Sequence, residues 1–383
     1  MLATTSKPAN RFTRDDWCSM LEPSGPPLSE LLKMAGDLRD QHHGRVVSVS
    51  RNVFLPLTNL CRDVCTYCTF RRDPDDAGAQ IMTTDQVLSQ VRRAQYFGCA
   101  EALFSLGDRP EAVFPEMRRR LASTRHRTTL SYLADVCKCV LTDSNLIPHS
   151  NPGLMPSADL QSLRRWNGSL GLMLETASNR LSKPGMPHER APDKLPARRL
   201  KTIEEAGRLS IPFTTGVLFG IGETPVELVD SLLAIRQLHR CHGHIQEVIV
   251  QNFRAKPDTP MSRHREPPFD QVLRTAAVAR LVLGDMNLQV PPNLSGPDYA
   301  RLLASGINDW GGVSPLTPDF INPEAPWPHL NELKRRTEEA GFVLRERLAV
   351  YPAFLERAAA GSRLLAERLR AMADRDGFRR GAS

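Results

Sequence analysis

The chain has no apolar run near the roughly 20 residues that span a bilayer. Its first residues, Met-Leu-Ala-Thr-Thr-Ser-Lys-Pro, carry no apolar signal core. No membrane partner is therefore expected, and a reduced cytoplasm is the expected location. Cysteine is scarce, with eight in 383 residues. So few thiols in so long a chain, with no secretory signal, argue against a disulfide framework. There is no second Cys-x2-Cys knuckle, so the usual four-ligand structural zinc site is not available. No internal repeat or low-complexity linker breaks the sequence. The charge is only mildly one-sided, at +7 from 50 basic and 43 acidic residues. More than half of that excess lies in residues 357–383, where seven arginines face Glu367, Asp374 and Asp376. This tail lacks the interleaved aromatics that stack bases. It reads as a solvated helix, and a nucleic-acid partner is not expected.

Against that background three cysteines are clustered. Cys61, Cys65 and Cys68 stand in Cys-Arg-Asp-Val-Cys-Thr-Tyr-Cys, a C-x3-C-x2-C spacing with the aromatic Tyr67 directly before the last. Three thiolates can hold three irons of a [4Fe–4S] cluster and leave the fourth open to a substrate or cosubstrate. A ferredoxin-type site would need a fourth cysteine. The others, Cys18, Cys99, Cys137, Cys139 and Cys241, are scattered, and Cys137 and Cys139 point to different faces of a helix.

Short apolar runs alternate with amphipathic stretches, the signature of βα units around a parallel sheet. Eight strands are predicted near 52–58, 102–107, 146–150, 169–174, 213–219, 246–252, 287–290 and 306–310. Helices are predicted at 84–97, 112–122, 129–141, 157–166, 196–207, 225–240 and 270–284. Thr83 with Gln86, and Thr224 with Pro225 and Glu227, have the pattern of capped helix starts. Leu228, Leu232 and Ile235 should then face the sheet. Pro56 sits awkwardly in strand 1, because it cannot donate to a ladder. The fold class is α/β, a (β/α)8 TIM-type barrel over residues 45–320. An N-terminal extension (1–44) with a helix from Leu28 to Asp40 precedes it. A C-terminal helical extension (321–383), with a helix from Leu330 to Ala340 and the basic tail, follows it.

In such barrels reactive groups sit at the C-terminal ends of strands, and the cysteine loop directly follows strand 1. The triplet resembles the cluster motif of the radical S-adenosylmethionine (SAM) enzymes. Leu106-Gly-Asp-Arg-Pro-Glu111 loosely resembles their Gly-Gly-Glu element, with Gly107 and Asp108 in the SAM-binding positions. Gly216-Val-Leu-Phe-Gly220-Ile-Gly-Glu223 resembles their G-x-I-x-G-x-x-E pattern, with Leu218 to pack on adenine. Glu175, ending strand 4, is a candidate for ribose hydroxyls or the SAM ammonium, and Asn252, ending strand 6, for adenine or ribose. The resemblance implies a [4Fe–4S] cluster with one open iron, SAM as cosubstrate and an external one-electron reductant.

Longer stretches resemble one radical SAM family, the CofG-type subunit of deazaflavin (FO) synthase. They include Asn52 to Phe70, Ser105 to Glu111, Pro148 to Gly153, Ala191 to Lys194, Pro212 to Gly216, Gln251 to Pro257 and Asp309 to Pro318. That family's reaction is ring closure with ammonia loss, a carbon–nitrogen lyase step. It acts on a tyrosine–ribitylaminouracil adduct made by a separate CofH-type radical SAM subunit. Glu189-Arg190-Ala191 departs from the small glycine-rich stretch expected before Pro192. The small-molecule substrate carries amide edges, hydroxyls and a phenol, so His149, Asn151, Lys256, Asn293 and Asp309 are candidate contacts. Tyr132 and His188 are weaker candidates for a proton relay. Two rivals remain. One is a radical SAM enzyme of another aromatic-cofactor or biotin-like pathway, and the other is a metal protein binding nucleic acid through its tail.

Overall fold

A computed structural model describes residues 12–381. The first eleven residues of the expected N-terminal extension and the last two of the tail lie outside that range. Eight parallel strands close on themselves: β1 (Val46–Leu55), β2 (Glu101–Ser105), β3 (Ile147–Asn151), β4 (Ser169–Gly171), β5 (Phe213–Phe219), β6 (Ile245–Asn252), β7 (Leu288–Gln289) and β8 (Asp309–Val313). β1 pairs with β2 through Asn52–Leu55 and with β8 through Ser48–Arg51, which closes the barrel. Every residue of β5 is buried, as expected where helices cover one face of a parallel sheet and the barrel interior the other.

β1 begins six residues earlier than the sequence predicts and ends at Leu55. Pro56 therefore falls just beyond the ladder and costs it no hydrogen bond. β8 begins at Asp309 rather than near 306, because Gly306 takes a left-handed φ of 82° that ends a 3-10 turn. The predicted 112–122 stretch divides into a turn at Pro110–Ala112 and a helix at Pro115–Ser123, with Pro115 starting the new helix. Both predicted capping boxes form. Gln86 N–H bonds Thr83 Oγ1 at 3.2 Å, and Glu227 N–H bonds Thr224 Oγ1 at 3.2 Å. Leu228, Leu232 and Ile235 are buried below the second.

A ninth strand, β9 (Val343–Arg347), pairs in parallel with the first half of β1. The chain then crosses the end of the barrel opposite the cysteine loop. Ser169 Oγ donates to Ala349 O, Gln246 Nε2 donates to the same carbonyl at 3.3 Å, and Tyr351 N–H returns to Gln246 Oε1 at 3.2 Å. Leu348, Ala349, Val350 and Tyr351 join Leu365 and Leu369 of the helix Arg363–Met372 in a second apolar core with Ala100, Leu141 and Ile147. The basic tail is thus built into the closed end of the barrel. Most of its arginines pair locally or against the body, as Arg379 with Glu346 and Arg368 with Asn145. No helix among the described residues is long and apolar enough to cross a membrane.

Candidate active site

The loop after β1 carries the cysteines and is held on both sides by backbone bonds. Arg62 N–H reaches Asp108 O at 2.9 Å, Val64 N–H reaches Arg190 O at 3.0 Å, and Thr66 N–H reaches Pro187 O at 3.1 Å. Gly107 is required by packing, since a Cβ there would run into the Leu60 carbonyl and the Cys61 Cβ. That close approach lets Asp108 N–H point at Cys61 Sγ from 3.2 Å. The departing stretch Glu189-Arg190-Ala191 supports the loop through its backbone.

Cys61, Cys65 and Cys68 line one cavity of about 220 Å³ at the C-terminal ends of the strands, with Tyr67, Gly107, Asp108, Glu175 and Leu218. All eight cysteines are free thiols. Burial pushes the Cys61 thiol up to about 12 and that of Cys65 well above its ordinary range, the latter eased by Lys194. Three sulfurs converging on one cavity, that of Cys65 buried and those of Cys61 and Cys68 partly so, suit metal ligation, which supplies the compensating charge. The donor set fits an iron–sulfur cluster.

Glu175 has a left-handed φ of 63°, a conformation costly for a non-glycine residue. Its backbone bridges to β5, with its N–H on Gly216 O at 2.9 Å and its carbonyl accepting from Leu218 N–H at 3.1 Å. The side chain is thereby turned inward. Its carboxylate accepts from Tyr67 OH at 2.6 Å and from Lys194 Nζ, with His188 Nε2 at 3.2 Å and Arg199 Nη1 at 3.9 Å. Burial opposes its charge, but Lys194, His188 and Arg199 hold the carboxyl well below its ordinary range. Asp108 differs. Burial, with Asp193 and Asp63 close by, lifts it to about 7 against the pull of Arg199. Its Oδ2 accepts from Leu154 N–H at 3.0 Å, while its Oδ1 and the Oδ2 of Asp63 have no hydrogen-bond partner.

The remaining SAM-contact candidates serve the frame. Gly216 lets β5 and β6 approach, since a Cβ would strike the Ile249 carbonyl, and Gly220 turns the chain at φ +88°. Neither lines the cavity. Asn252 is buried behind it, donating to Leu294 O at 3.2 Å. Of the substrate candidates, Asn151 lines this cavity and also the barrel lumen beneath it, and His149 lines the lumen. Lys256 bonds Ile321 O at 2.9 Å, and Asn293 bonds Asp319 Oδ2 at 3.0 Å; neither lies on a cavity wall. Asp309 sits at the opposite end of the barrel, because β8 starts with it, and is committed to Arg347 at 2.8 Å. Tyr132 OH is spent on Met82 O, and His188 sits behind Tyr67 at 2.9 Å from its hydroxyl.

Sequence reasoning missed Lys194, Arg199, Asp63 and Gln251, all on the cavity wall. Lys194 and Gln251 lie within stretches singled out by resemblance, but nothing local shows that they reach the cysteines. Arg199 is 4% exposed on the helix Pro196–Arg208. An arginine in that register reads from sequence as solvated.

Residues 55–235 match the family described as the Radical SAM superfamily. A 7,8-didemethyl-8-hydroxy-5-deazariboflavin synthase from Methanopyrus kandleri is 49% identical over 312 residues, covering 82% of this chain and 93% of the relative. An FO synthase from Streptomyces avermitilis is 47% identical over 349 residues, covering 88% of this chain but only 40% of that longer protein. Among solved structures, the FeFe-hydrogenase maturase HydG from Carboxydothermus hydrogenoformans superposes with a TM-score of 0.71 at 17% identity. That match covers 94% of this chain and 86% of the other, and is a likeness of fold.

Proposed function

This chain belongs to the radical SAM family of 7,8-didemethyl-8-hydroxy-5-deazariboflavin synthases, and we propose that it performs their ring-closing step. The substrate is 5-amino-5-(4-hydroxybenzyl)-6-(D-ribitylimino)-5,6-dihydrouracil. The reaction closes the third ring with loss of ammonia, as a carbon–nitrogen lyase, to give FO, the chromophore of a deazaflavin coenzyme. The observation that carries this reading is the single cavity that gathers Cys61, Cys65 and Cys68 with Glu175 and Leu218 directly above a polar lumen.

Cys61, Cys65 and Cys68 would hold the [4Fe–4S] cluster, leaving one iron free of protein ligands. With cluster and SAM bound, the site would have one-electron cleavage of SAM, and through it hydrogen-atom abstraction from the substrate, as its chemistry. The chain's own residues position and exclude. The Asp108 amide donates to the Cys61 sulfur and would steady its thiolate. Tyr67 ties the loop beside Cys68 to Glu175. Leu218 offers an apolar wall for adenine, and Glu175, fixed by Lys194, an anionic edge for ribose hydroxyls or an ammonium. The barrel, closed below by residues 347–351, would limit the access of water to the reacting substrate.

The adduct would come from a separate CofH-type radical SAM subunit and the electron from an external reductant, both in the cytoplasm. Protein reconstituted with iron and sulfide under anaerobic conditions is incubated with adduct, SAM and dithionite. Formation of FO, followed by its absorbance and fluorescence, is expected. Deoxyadenosine without a deazaflavin would instead favour a radical SAM enzyme of another pathway.

A further inference from the structure

Beneath the cysteine cavity the barrel lumen continues as a second cavity of about 180 Å³, and Ser105, Asn151, Gln251 and Ile321 line both. The charged groups on the lower wall are already committed. Arg347 is paired with Glu247 at 3.1 Å and with Asp309 at 2.8 Å. Glu101 accepts from Ser50, and Glu247 accepts also from Thr214 Oγ1 at 2.9 Å and Tyr351 OH at 3.2 Å. Asp319 accepts from the amides of Asn293 and Asn322, each at 3.0 Å. The one cation on this wall, Arg347, is spent on Glu247 and Asp309, so none is free for an anionic ligand.

The uncharged groups are in the opposite state. Asn52, 1% exposed, has no partner for either Nδ2 or Oδ1, and Gln289, 4% exposed, has none for Oε1. Two consecutive glycines of β8 make room for them. A Cβ on Gly312 would strike Asn52 Nδ2, and one on Gly311 would lie 2.5 Å from Gln289 Nε2. Buried amides without partners are costly, so keeping the space around them open implies a ligand that satisfies them. His149 adds a defined acceptor. Ser169 Oγ gives its own proton to Ala349 O, so it must accept from His149 Nδ1–H at 2.6 Å. The imidazole of this lumen-lining residue is then the Nδ1–H tautomer, with Nε2 a bare acceptor. Burial, reinforced by Arg347, holds the ring neutral, with its pKa down at about 3.

We infer that this lower lumen is a subsite for an uncharged, hydroxyl-rich chain, read by Asn52, Gln289 and His149 Nε2. The inference rests on the reaction proposed above and assigns the ribityl end of its substrate to the closed end of the barrel. The ring system is left at the junction of the two cavities, lined by Ser105, Asn151, Gln251 and Ile321. A site whose polar atoms await hydroxyls discriminates strongly against ligands that cannot supply them. With no free cation on the wall, it also rejects a phosphate at the chain's end, which would be buried unpaired.

The test is equilibrium dialysis of FO, which bears the same ribityl chain, and of its 5′-phosphate ester against anaerobically reconstituted protein. The wild-type chain is expected to bind FO at least tenfold more tightly than the ester. Gln289→Leu and His149→Phe, each confirmed as folded by its melting transition, are expected to weaken FO at least tenfold. Equal binding of ester and FO, a comparison that needs no variant, would overturn the subsite. So would unchanged FO affinity in both folded variants. Failure of the wild-type chain to bind FO at all would sink the proposed reaction together with the subsite. Binding that ignores the lumen substitutions sinks the subsite alone.

Discussion

Tyr67, the residue before the last cysteine of the triplet, donates its hydroxyl to Glu175 Oε2 at 2.6 Å. This bond joins the loop after β1 to the point where the chain leaves β4 and bridges to β5. Glu175 is buried and Tyr67 partly buried, so the position of Cys68 is coupled to the carboxylate expected to meet SAM.

The charge on Glu175 should matter more than the hydroxyl on Tyr67. Glu175→Gln leaves the largely enclosed Lys194 without its counter-ion, a change expected to cost about 3 kcal/mol. Tyr67→Phe removes one hydrogen bond while Lys194 still neutralises the carboxylate, at about 1 kcal/mol. Urea unfolding of the cluster-free protein compares them, and equal midpoints for Glu175→Gln and wild type would contradict the ion-pair assignment.

Arg347 plugs the closed end of the barrel. Arg347→Met strands Asp309 and Glu247 in the interior and is expected to destabilise by about 3–5 kcal/mol. Adding Asp309→Asn removes one of the stranded charges and should recover part of that loss. The double variant is then more stable than the single one in the same unfolding experiment, and an additive further loss would speak against the pairing.

Acid should unfold the protein in part through His149. Its folded pKa, about 3, lies far below the ordinary value of 6.5, so the folded chain binds fewer protons than the unfolded chain between those limits. The sign follows: the stability is fully present above pH 6.5 and is lost as pH falls toward 3. Between pH 6.5 and 5.0 the wild type should lose about 1.5 kcal/mol more than His149→Gln. Parallel stability-versus-pH curves would show that the imidazole titrates normally. His43 and His244 are depressed in the same way and set the common background.

The tail is expected to act on folding and not on nucleic acid. Deleting residues 357–383 strips Leu365 and Leu369 from the second core, about 1.5–3 kcal/mol for each buried leucine. A lowered melting temperature is expected, with no RNA affinity in either the full or the shortened chain.

The barrel was legible in the sequence because its strands are short apolar runs separated by helices with readable caps. Thr83 with Gln86 and Thr224 with Glu227 set two helix starts by local chemistry alone. β9 was not legible: Val343-Leu-Arg-Glu-Arg347 alternates weakly, and it becomes a strand only because the first half of β1 offers an open edge. The cysteine triplet was readable because three ligands lie within eight residues. Lys194 and Arg199 were not, because they reach Glu175 through tertiary contacts that leave no local period. Asp309 shows the converse limit. Its place at a strand was foreseen, but the end of the barrel it occupies depends on where β8 begins.

The most direct measurement follows a label through the reaction. Adduct carrying deuterium on its carbon atoms is incubated with the reconstituted protein, SAM and reductant, and both products are analysed by mass spectrometry. Deuterium in 5′-deoxyadenosine, appearing in step with FO, is the expected result. Deoxyadenosine that forms at the same rate without deuterium, or FO that forms without SAM cleavage, would contradict the assignment of Cys61, Cys65 and Cys68 to a radical-generating site acting on this substrate.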